Sequence, residues 1–169
     1  MRRFVLIIGF ALLAAACGGE QISEQLAEQA IGGNADVQIS GDGDEVTINI
    51  ESDEGSISIG SGATLSDSLT IPVPDGGDVI SSFSDANSAG AGITYPGDRY
   101  DELVGFYESW TAGIGGEWQS STSTFELDGQ TQRTSQWSNE GNQYFILVSD
   151  CIDGTGEFTS ACVTINENL

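Results

Sequence analysis

The chain has no histidine and no lysine, and its only bases are four arginines. Without histidine, the usual nucleophile–base pairs of covalent catalysis have no base. Without lysine, the glycine-rich residues 113–116 cannot form a phosphate-binding loop, whose spacing they also lack. We therefore interpret the chain as non-enzymatic and expect no cofactor.

Positive charge is almost absent from the part of the chain that follows residue 17. Arg2 and Arg3 precede a predicted cleavage point, so processing leaves Arg99 and Arg133 against 26 acidic residues, a formal charge of −24. This charge excludes nucleic acid as a partner, because phosphates would be repelled, and it opposes adhesion to anionic lipid. We interpret it as a solubilising surface, and binding of a cation or a cationic partner is the alternative.

Cysteine is also scarce, with three residues in the chain. Cys17 follows Ala14-Ala15-Ala16, which end the uncharged apolar run of residues 4–16. A positive start, a short apolar run and small residues at the cleavage point are typical of a secretory signal peptide. The run is shorter than the roughly 20 residues that span a bilayer, so residues 1–17 are predicted to be an export signal that is removed up to the cysteine.

The cysteine directly after these small residues resembles the lipobox of bacterial lipoproteins. One position departs from that pattern, because Ala14 stands three residues before the cysteine, where leucine is usual, and the leucine is Leu13. The resemblance implies a diacylglycerol on Cys17, and hence an extracytoplasmic protein held at the cell membrane or envelope by its lipid. Ordinary secretion after Ala16 and export by the twin-arginine route are the alternatives.

The two remaining cysteines, Cys151 and Cys162, would reach an oxidising compartment after export. We therefore predict that they form a disulfide, which closes the loop of residues 152–161. A reactive or metal-binding thiol pair is the alternative, although the chain offers no histidine to complete a metal site.

A short N-terminal unit is predicted over residues 18–60. Apolar residues at helical spacing predict a helix over residues 20–31, ended by Gly32-Gly33. Acidic and glycine-rich turns would join the next strands into an antiparallel meander, whose apolar face the helix would cover. Three runs of alternating apolar and polar residues define these strands: residues 37–40, 46–51 and 56–59.

A linker of Ser, Gly and Pro residues is predicted over residues 61–77, and a second unit over residues 78–169. The second unit reads as ββαββββ, with Asp98 as the helix N-cap and with Gly113, Gly115 and Gly116 ending the helix. One helix on an antiparallel sheet predicts an α+β fold class. The predicted strands are residues 79–83, 89–95, 117–127, 130–138, 144–148 and 160–165.

Acidic residues at one predicted turn are candidate metal ligands. Asp42, Asp44 and Glu45 offer oxygen ligands for Ca²⁺, but Val46 occupies the place of the third ligand of an EF-hand loop. Solvated turn residues are the alternative interpretation. A pair of carboxylates could also hydrolyse glycosides without histidine, but nothing in the sequence singles out one pair.

Two tryptophans are candidate ligand-binding residues. Trp118 and Trp137 lie in strands rich in Ser, Thr and Gln, where exposed rings could stack on a sugar. Arg133, one of the two bases after residue 17, is expected to pair with a nearby carboxylate.

The whole layout resembles a set of uncharacterised bacterial lipoproteins. The resemblance rests on the lipobox, on the Asp- and Gly-rich residues 37–60, on Pro74-Asp75-Gly76-Gly77, and on Tyr95-Pro96-Gly97 before residues 100–107. It implies an exported, lipid-anchored protein with no assigned activity and no catalytic residues. We expect a binding or scaffolding role toward an envelope protein or glycan. A Ca²⁺- or sugar-binding module is the first alternative, and a carboxylate-based hydrolase is the second.

Overall fold

The computed structural model describes residues 35–42, 45–127, 130–139, 141, 143–152 and 158–169. This part of the chain contains nine strands and one helix, α1 (Tyr100–Ile114), which lies between the fifth and sixth strands. The strands are β1 (Ala35–Asp42), β2 (Glu45–Ser52), β3 (Gly55–Gly60), β4 (Asp78–Asp85), β5 (Ser88–Pro96), β6 (Trp118–Leu127), β7 (Gln130–Asn139), β8 (Tyr144–Cys151) and β9 (Ser160–Asn168).

The nine strands form one antiparallel sheet in the order β1-β2-β3-β4-β5-β9-β8-β7-β6. β3 pairs with β4 although residues 61–77 separate them, and this pairing places Ile57 opposite Phe83. Strands from both predicted units therefore share one sheet. The last strand, β9, lies between β5 and β8, and β1 and β6 form the two edges.

The predicted α+β fold class is wrong, because the described chain is mostly β, with one 15-residue helix against nine strands. The helix predicted over residues 20–31 lies outside the described residues. The alternation of apolar and polar residues identifies β3 as a strand, but it does not show which strand pairs with the side of β3 away from β2. Pairing with β4 satisfies backbone N–H and C=O groups that would otherwise form an open edge, and this pairing continues the meander into the larger sheet.

The predicted positions of the individual strands and of α1 are confirmed. The predicted cap of α1 is wrong: Arg99 takes the N-cap position, and no side chain caps the helix. The carboxylate of Asp98 instead accepts a hydrogen bond from Arg133, 2.6 Å from its Nη2. The helix ends before Gly115, whose φ of 70° is a conformation that glycine adopts readily.

The main core lies between α1 and one face of the sheet. Tyr100, Leu103 and Tyr107 of α1 are buried there, together with alternate residues of the central strands. Full burial of side chains of this size contributes roughly 1.5–3 kcal/mol each. The strand residues are Ala91, Ile93, Tyr95, Trp137, Ile146, Val148, Ala161, Val163 and Ile165.

This same face of the sheet changes from polar to apolar along a single row of cross-strand neighbours. The row is polar in β1–β4 and apolar from β5 to β7, so the helix covers the apolar part and leaves the polar part open. From β1 to β6 the row reads Gln38, Asn49, Ser58, Ser82, Ala91, Ile165, Ile146, Trp137 and Ser120. The isoleucines of β2 and β3 point to the other face because side chains alternate along a strand.

Residues 61–77 cross the α1 side of the sheet and are held there by buried side chains. The carboxylate of Glu167, only 3% exposed, accepts hydrogen bonds from the backbone N–H of Thr70 at 2.8 Å and from its Oγ1 at 2.6 Å. Ile71 is 2% exposed and belongs to the main core. This segment is therefore attached to the last strand, 97 positions further along the chain.

Two buried tyrosines hold the proline-rich end of the same segment. The hydroxyl of Tyr95 donates to the carbonyl of Pro74 at 3.0 Å, and that of Tyr107 donates to the carbonyl of Pro72 at 3.2 Å. Burial raises the pKa of Tyr95 to about 12 and raises the pKa of Tyr107 as well. Both hydroxyls thus stay protonated donors over the whole physiological range.

The predicted disulfide between Cys151 and Cys162 is confirmed. It joins the end of β8 to β9 across a Cα–Cα distance of 5.6 Å. In the ladder, Cys151 lies opposite Ser160, and Cys162 lies opposite Ser149. The bond therefore links two strands at the centre of the sheet on the face away from α1.

Candidate ligand-binding cleft

A cleft with a volume of about 220 Å³ opens over the polar part of the sheet, beside residues 64–66. Its floor comes from β1–β4, and the strand register places the floor residues in two adjacent rows. The first row is Gln38, Asn49, Ser58 and Ser82, and the second includes Asp36, Glu51 and Ser56. Thr64, Leu65 and Ser66 form the wall nearest the core.

Hydrogen bonds within the floor fix the polar groups in place. The Oγ of Ser58 donates to Oδ1 of Asn49 at 2.6 Å, which leaves the amide nitrogen of Asn49 as a donor. The hydroxyls of Ser56 and Ser84 lie 3.1 Å apart on neighbouring strands. Because these groups belong to a regular sheet, their positions are set before any ligand arrives.

The turn after β3 brings the chain back over the sheet and so forms the wall. Gly60 has a φ of 115°, and a Cβ there would lie 1.8 Å from the carbonyl oxygen of Val46, so only glycine fits. The hydroxyl of Thr47 then donates to the carbonyl of Ser61. The backbone N–H of Ala63 donates to the carbonyl of Gly60 at 3.1 Å, which closes the turn.

Two carboxylates face each other at the outer end of the cleft. Asp36 in β1 lies directly opposite Glu51 in β2, and both residues are exposed. Like charges in directly opposed positions destabilise a strand pair. Strand stability therefore does not explain this pair, and both carboxylates can accept hydrogen bonds from donors in the cleft.

The chemistry of the cleft suits an uncharged ligand with many hydroxyl groups. Serine and threonine hydroxyls donate and accept, the Asn and Gln amides do both, and the carboxylates accept. No described lining residue is basic, so an anionic ligand would meet Asp36 and Glu51 without a counter-charge. The volume lies below the roughly 300–1,000 Å³ of drug-sized sites, which fits a group of about one sugar ring.

The two tryptophans predicted as ligand-binding residues lie elsewhere. Trp137 is 5% exposed and packs in the main core, 6.4 Å from the ring of Tyr107. Trp118 is half-buried and stacks on Tyr144 at 6.0 Å, with Trp110 edge-on to both rings. Neither tryptophan lines the cleft.

The other predicted site residues fall largely outside the described chain. Cys17 and Asp44 are not among the described residues, nor are the side chains of Asp42 and Glu45. Within the described residues there is no group of three or more His, Cys, Asp or Glu side chains that could hold a metal ion. The Ca²⁺ site at this turn stays a prediction.

A second charged cluster surrounds Arg133 on β7. Its Nε lies 2.9 Å from Oδ2 of Asp150, and its Nη2 lies 2.8 Å from Oδ1 of the same carboxylate. Asp98 and Asp101 at the start of α1 complete the cluster at 2.6 and 3.5 Å. Hydrogen bonding to these carboxylates raises the pKa of Arg133, and the Arg133 bond lowers the pKa of Asp98. The guanidinium also lies 4.4 Å from the ring centre of Tyr100.

Comparison of the chain with protein-family models, with curated proteins and with solved structures found no match. Among the described residues, no helix has both the length and the apolar character needed to cross a bilayer. The geometry of the cleft is therefore the principal basis for a functional proposal.

Sequence reasoning missed the cleft, although its residues belong to strands that were predicted. The available signal was the polar half of each alternating run, where Ser56 and Ser58 of β3 match Ser82 and Ser84 of β4. Alternation assigns these serines to one face of each strand but does not show what that face encloses. Only the pairing of β3 with β4 and the return of residues 64–66 make that side concave.

Proposed function

We propose that this chain is a non-enzymatic, lipid-anchored binding protein of the bacterial cell envelope, and that its cleft holds a neutral carbohydrate group. The observation that carries the proposal is the row Gln38–Asn49–Ser58–Ser82, which lines the cleft with polar groups from four adjacent strands, two of them joined by a hydrogen bond. Polyhydroxylated ligands are recognised by such convergent donors and acceptors.

The N-terminal segment supports the location. A lipid on Cys17 would hold the sheet near a membrane through residues 18–34, and each buried CH₂ of the lipid contributes about 0.8 kcal/mol. The acidic chain would not add electrostatic adhesion to that anchor. Carbohydrates of the envelope are therefore the ligands that this surface would meet.

The facing carboxylates Asp36 and Glu51 favour one second candidate, a carboxylate-based glycoside hydrolase. Such enzymes place two carboxyl groups on either side of the scissile bond, and one of them needs a raised pKa. Both side chains here are exposed, and neither lies in an apolar pocket of the kind that holds a catalytic acid. Binding without turnover is the better-supported function.

Isothermal titration calorimetry of the mature chain with a panel of neutral mono- and disaccharides tests the proposal. We expect at least one sugar to bind, and Gln38→Ala and Asn49→Ala to weaken that binding about tenfold or more. Gln136→Ala, an exposed glutamine on the other face of β7, is the matched control and should bind normally. Absence of heat for every sugar would refute the carbohydrate ligand, and release of reducing ends that Asp36→Asn abolishes would establish the hydrolase instead.

A further inference from the structure

The sheet ends at β6, which is an unusually open edge. β6 pairs with β7 through ten consecutive residue pairs, from Trp118 opposite Asn139 to Leu127 opposite Gln130, without a bulge. No strand of the described chain pairs with its other side. Long regular edges of this kind offer a row of free N–H and C=O groups to an added strand.

The contacts of Arg133 show which backbone groups of β6 point outward. Its backbone N–H donates to Oδ2 of Asp150 at 2.7 Å, on the side of β8, and so points away from β6. Thr124, its partner on β6, is therefore in a non-hydrogen-bonded pair and directs its own N–H and C=O away from the sheet. The alternation of the ladder extends this orientation to Ser120 and Thr122.

Most of the edge lacks the devices that usually protect such strands. Residues 118–125 contain no charge and no proline, Glu126 is the one charge within β6, and Ser121 to Glu126 are all exposed. The opposite edge strand, β1, carries Asp36 and Asp42 within eight residues. Charges, prolines and bulges are the common means of blocking edge pairing, and the uncharged run of β6, residues 118–125, is longer than that of β1, residues 37–41, so β6 is the edge better suited to pair.

The charges at the two ends of β6 indicate what can pair with it. Exposed carboxylates, Glu117 and Glu126, flank the uncharged stretch. Beside Thr124, the cluster around Arg133 contains three aspartates for one arginine, which adds negative charge at that end. A second copy of this chain, with a formal charge of −22, would be repelled, whereas a segment with basic ends would be attracted.

We propose that β6 binds an extended segment of another protein. The segment is about eight residues long, with an uncharged interior and a basic residue at each end. The segment adds as a tenth strand, with backbone bonds to Ser120, Thr122 and Thr124 and with its basic ends near Glu117 and Glu126. This surface is separate from the cleft, so the interaction does not depend on carbohydrate binding.

The probe is a synthetic Thr/Val octapeptide with a lysine at each end, titrated into the chain without its predicted signal peptide, and binding is followed by calorimetry and by intrinsic tryptophan fluorescence, to which Trp118 on β6 contributes. The control peptide has glutamate at each end and should bind at least tenfold more weakly. Glu117→Gln with Glu126→Gln should weaken the lysine peptide several-fold, whereas Glu108→Gln, an exposed glutamate on α1, should not.

The role of the edge backbone is tested on both partners. Thr124→Pro, which removes an outward N–H, should abolish binding, whereas Thr124→Ala keeps that N–H and should leave binding intact. If Thr124→Pro does not fold, the lysine peptide is N-methylated instead, at every second backbone nitrogen. Methylation of the nitrogens that face β6 should abolish binding, whereas methylation of the other set should not. Failure of the lysine peptide to bind, or equal binding after both methylation patterns, overturns the proposal. So does a dimer of this chain, seen by sedimentation, that occupies the edge.

Discussion

The guanidinium of Arg133 binds both oxygens of the Asp150 carboxylate, at 2.9 and 2.8 Å, in a place where the Asp150 side chain is only 6% exposed. Arg133 also reaches Asp98, so one side chain joins β7, β8 and the segment that leads into α1. This pairing positions the helix over the apolar part of the sheet. The polar part beside it stays open as the cleft.

Removing the arginine side chain should leave the nearly buried carboxylate of Asp150 without a counter-charge, with the backbone N–H of residue 133 still bonded to it. We expect Arg133→Leu to lower the free energy of unfolding by about 3–5 kcal/mol, as for other broken buried pairs. The double variant Arg133→Leu/Asp150→Leu should recover most of that loss, because it removes the unpaired charge. Urea denaturation followed by circular dichroism measures both variants, with Glu102→Gln, which removes an exposed partner of Arg99, as a nearly neutral control. A double variant no more stable than Arg133→Leu would contradict this account.

The tyrosine contacts with residues 61–77 predict a loss of stability at high pH. Burial raises the folded-state pKa of Tyr95 to about 12, above the ordinary value of 10, so the folded state favours the protonated phenol. The contribution is complete below pH 10 and disappears as the pH rises from 10 to about 12. We expect unfolding free energies to be level between pH 7 and 9 and to fall above pH 10.

The variant Tyr95→Phe separates this effect from general alkaline damage. It loses the bond to Pro74 and should be about 1 kcal/mol less stable at pH 8. Its stability should also fall less steeply between pH 10 and 12 than that of the parent chain. Equal slopes for the two chains would show that Tyr95 does not cause the alkaline loss.

The proposed lipid anchor at Cys17 leads to a prediction that does not depend on the fold. In cells fed with labelled palmitate, the parent chain should be labelled and should fractionate with membranes. Cys17→Ser should lose both the label and the membrane association, since the acidic chain has no electrostatic attachment of its own. Cys151→Ser with Cys162→Ser is the matched control and should remain labelled. Membrane association of an unlabelled Cys17→Ser chain would refute the lipid anchor.

The sequence predicts the elements of this fold better than their arrangement. Alternation such as that of Ile57 and Ile59 with Ser58 identifies strands, because it is a local property of the chain. The pairing of β3 with β4 is not local. It accompanies the docking of residues 61–77, which rests on contacts such as Glu167 with Thr70, and no local pattern connects residues so far apart.

The same difference between local patterns and long-range pairing explains why the sequence does not predict the cleft. Trp118 and Trp137 are predicted to bind a ligand because they are aromatic residues in polar strands. In the structure, their rings pack against residues of α1 and β8. The cleft residues are ordinary serines and amides whose only distinction is their register across four strands. Residue type predicts a ligand-binding surface at the two tryptophans, whereas the strand register places the polar cleft over β1–β4.

The central claim is that the cleft over β1–β4 is the ligand-binding surface, and chemical-shift mapping tests it most directly. The ¹⁵N-labelled mature chain would be titrated with the sugar that gives the strongest calorimetric signal. The account predicts that the largest shifts fall on the amides of Gln38, Asn49, Ser58, Ser82 and residues 64–66. The tryptophan indoles, all remote from the cleft, should move little. Shifts centred on Trp118 and Tyr144 with an unchanged cleft would contradict it.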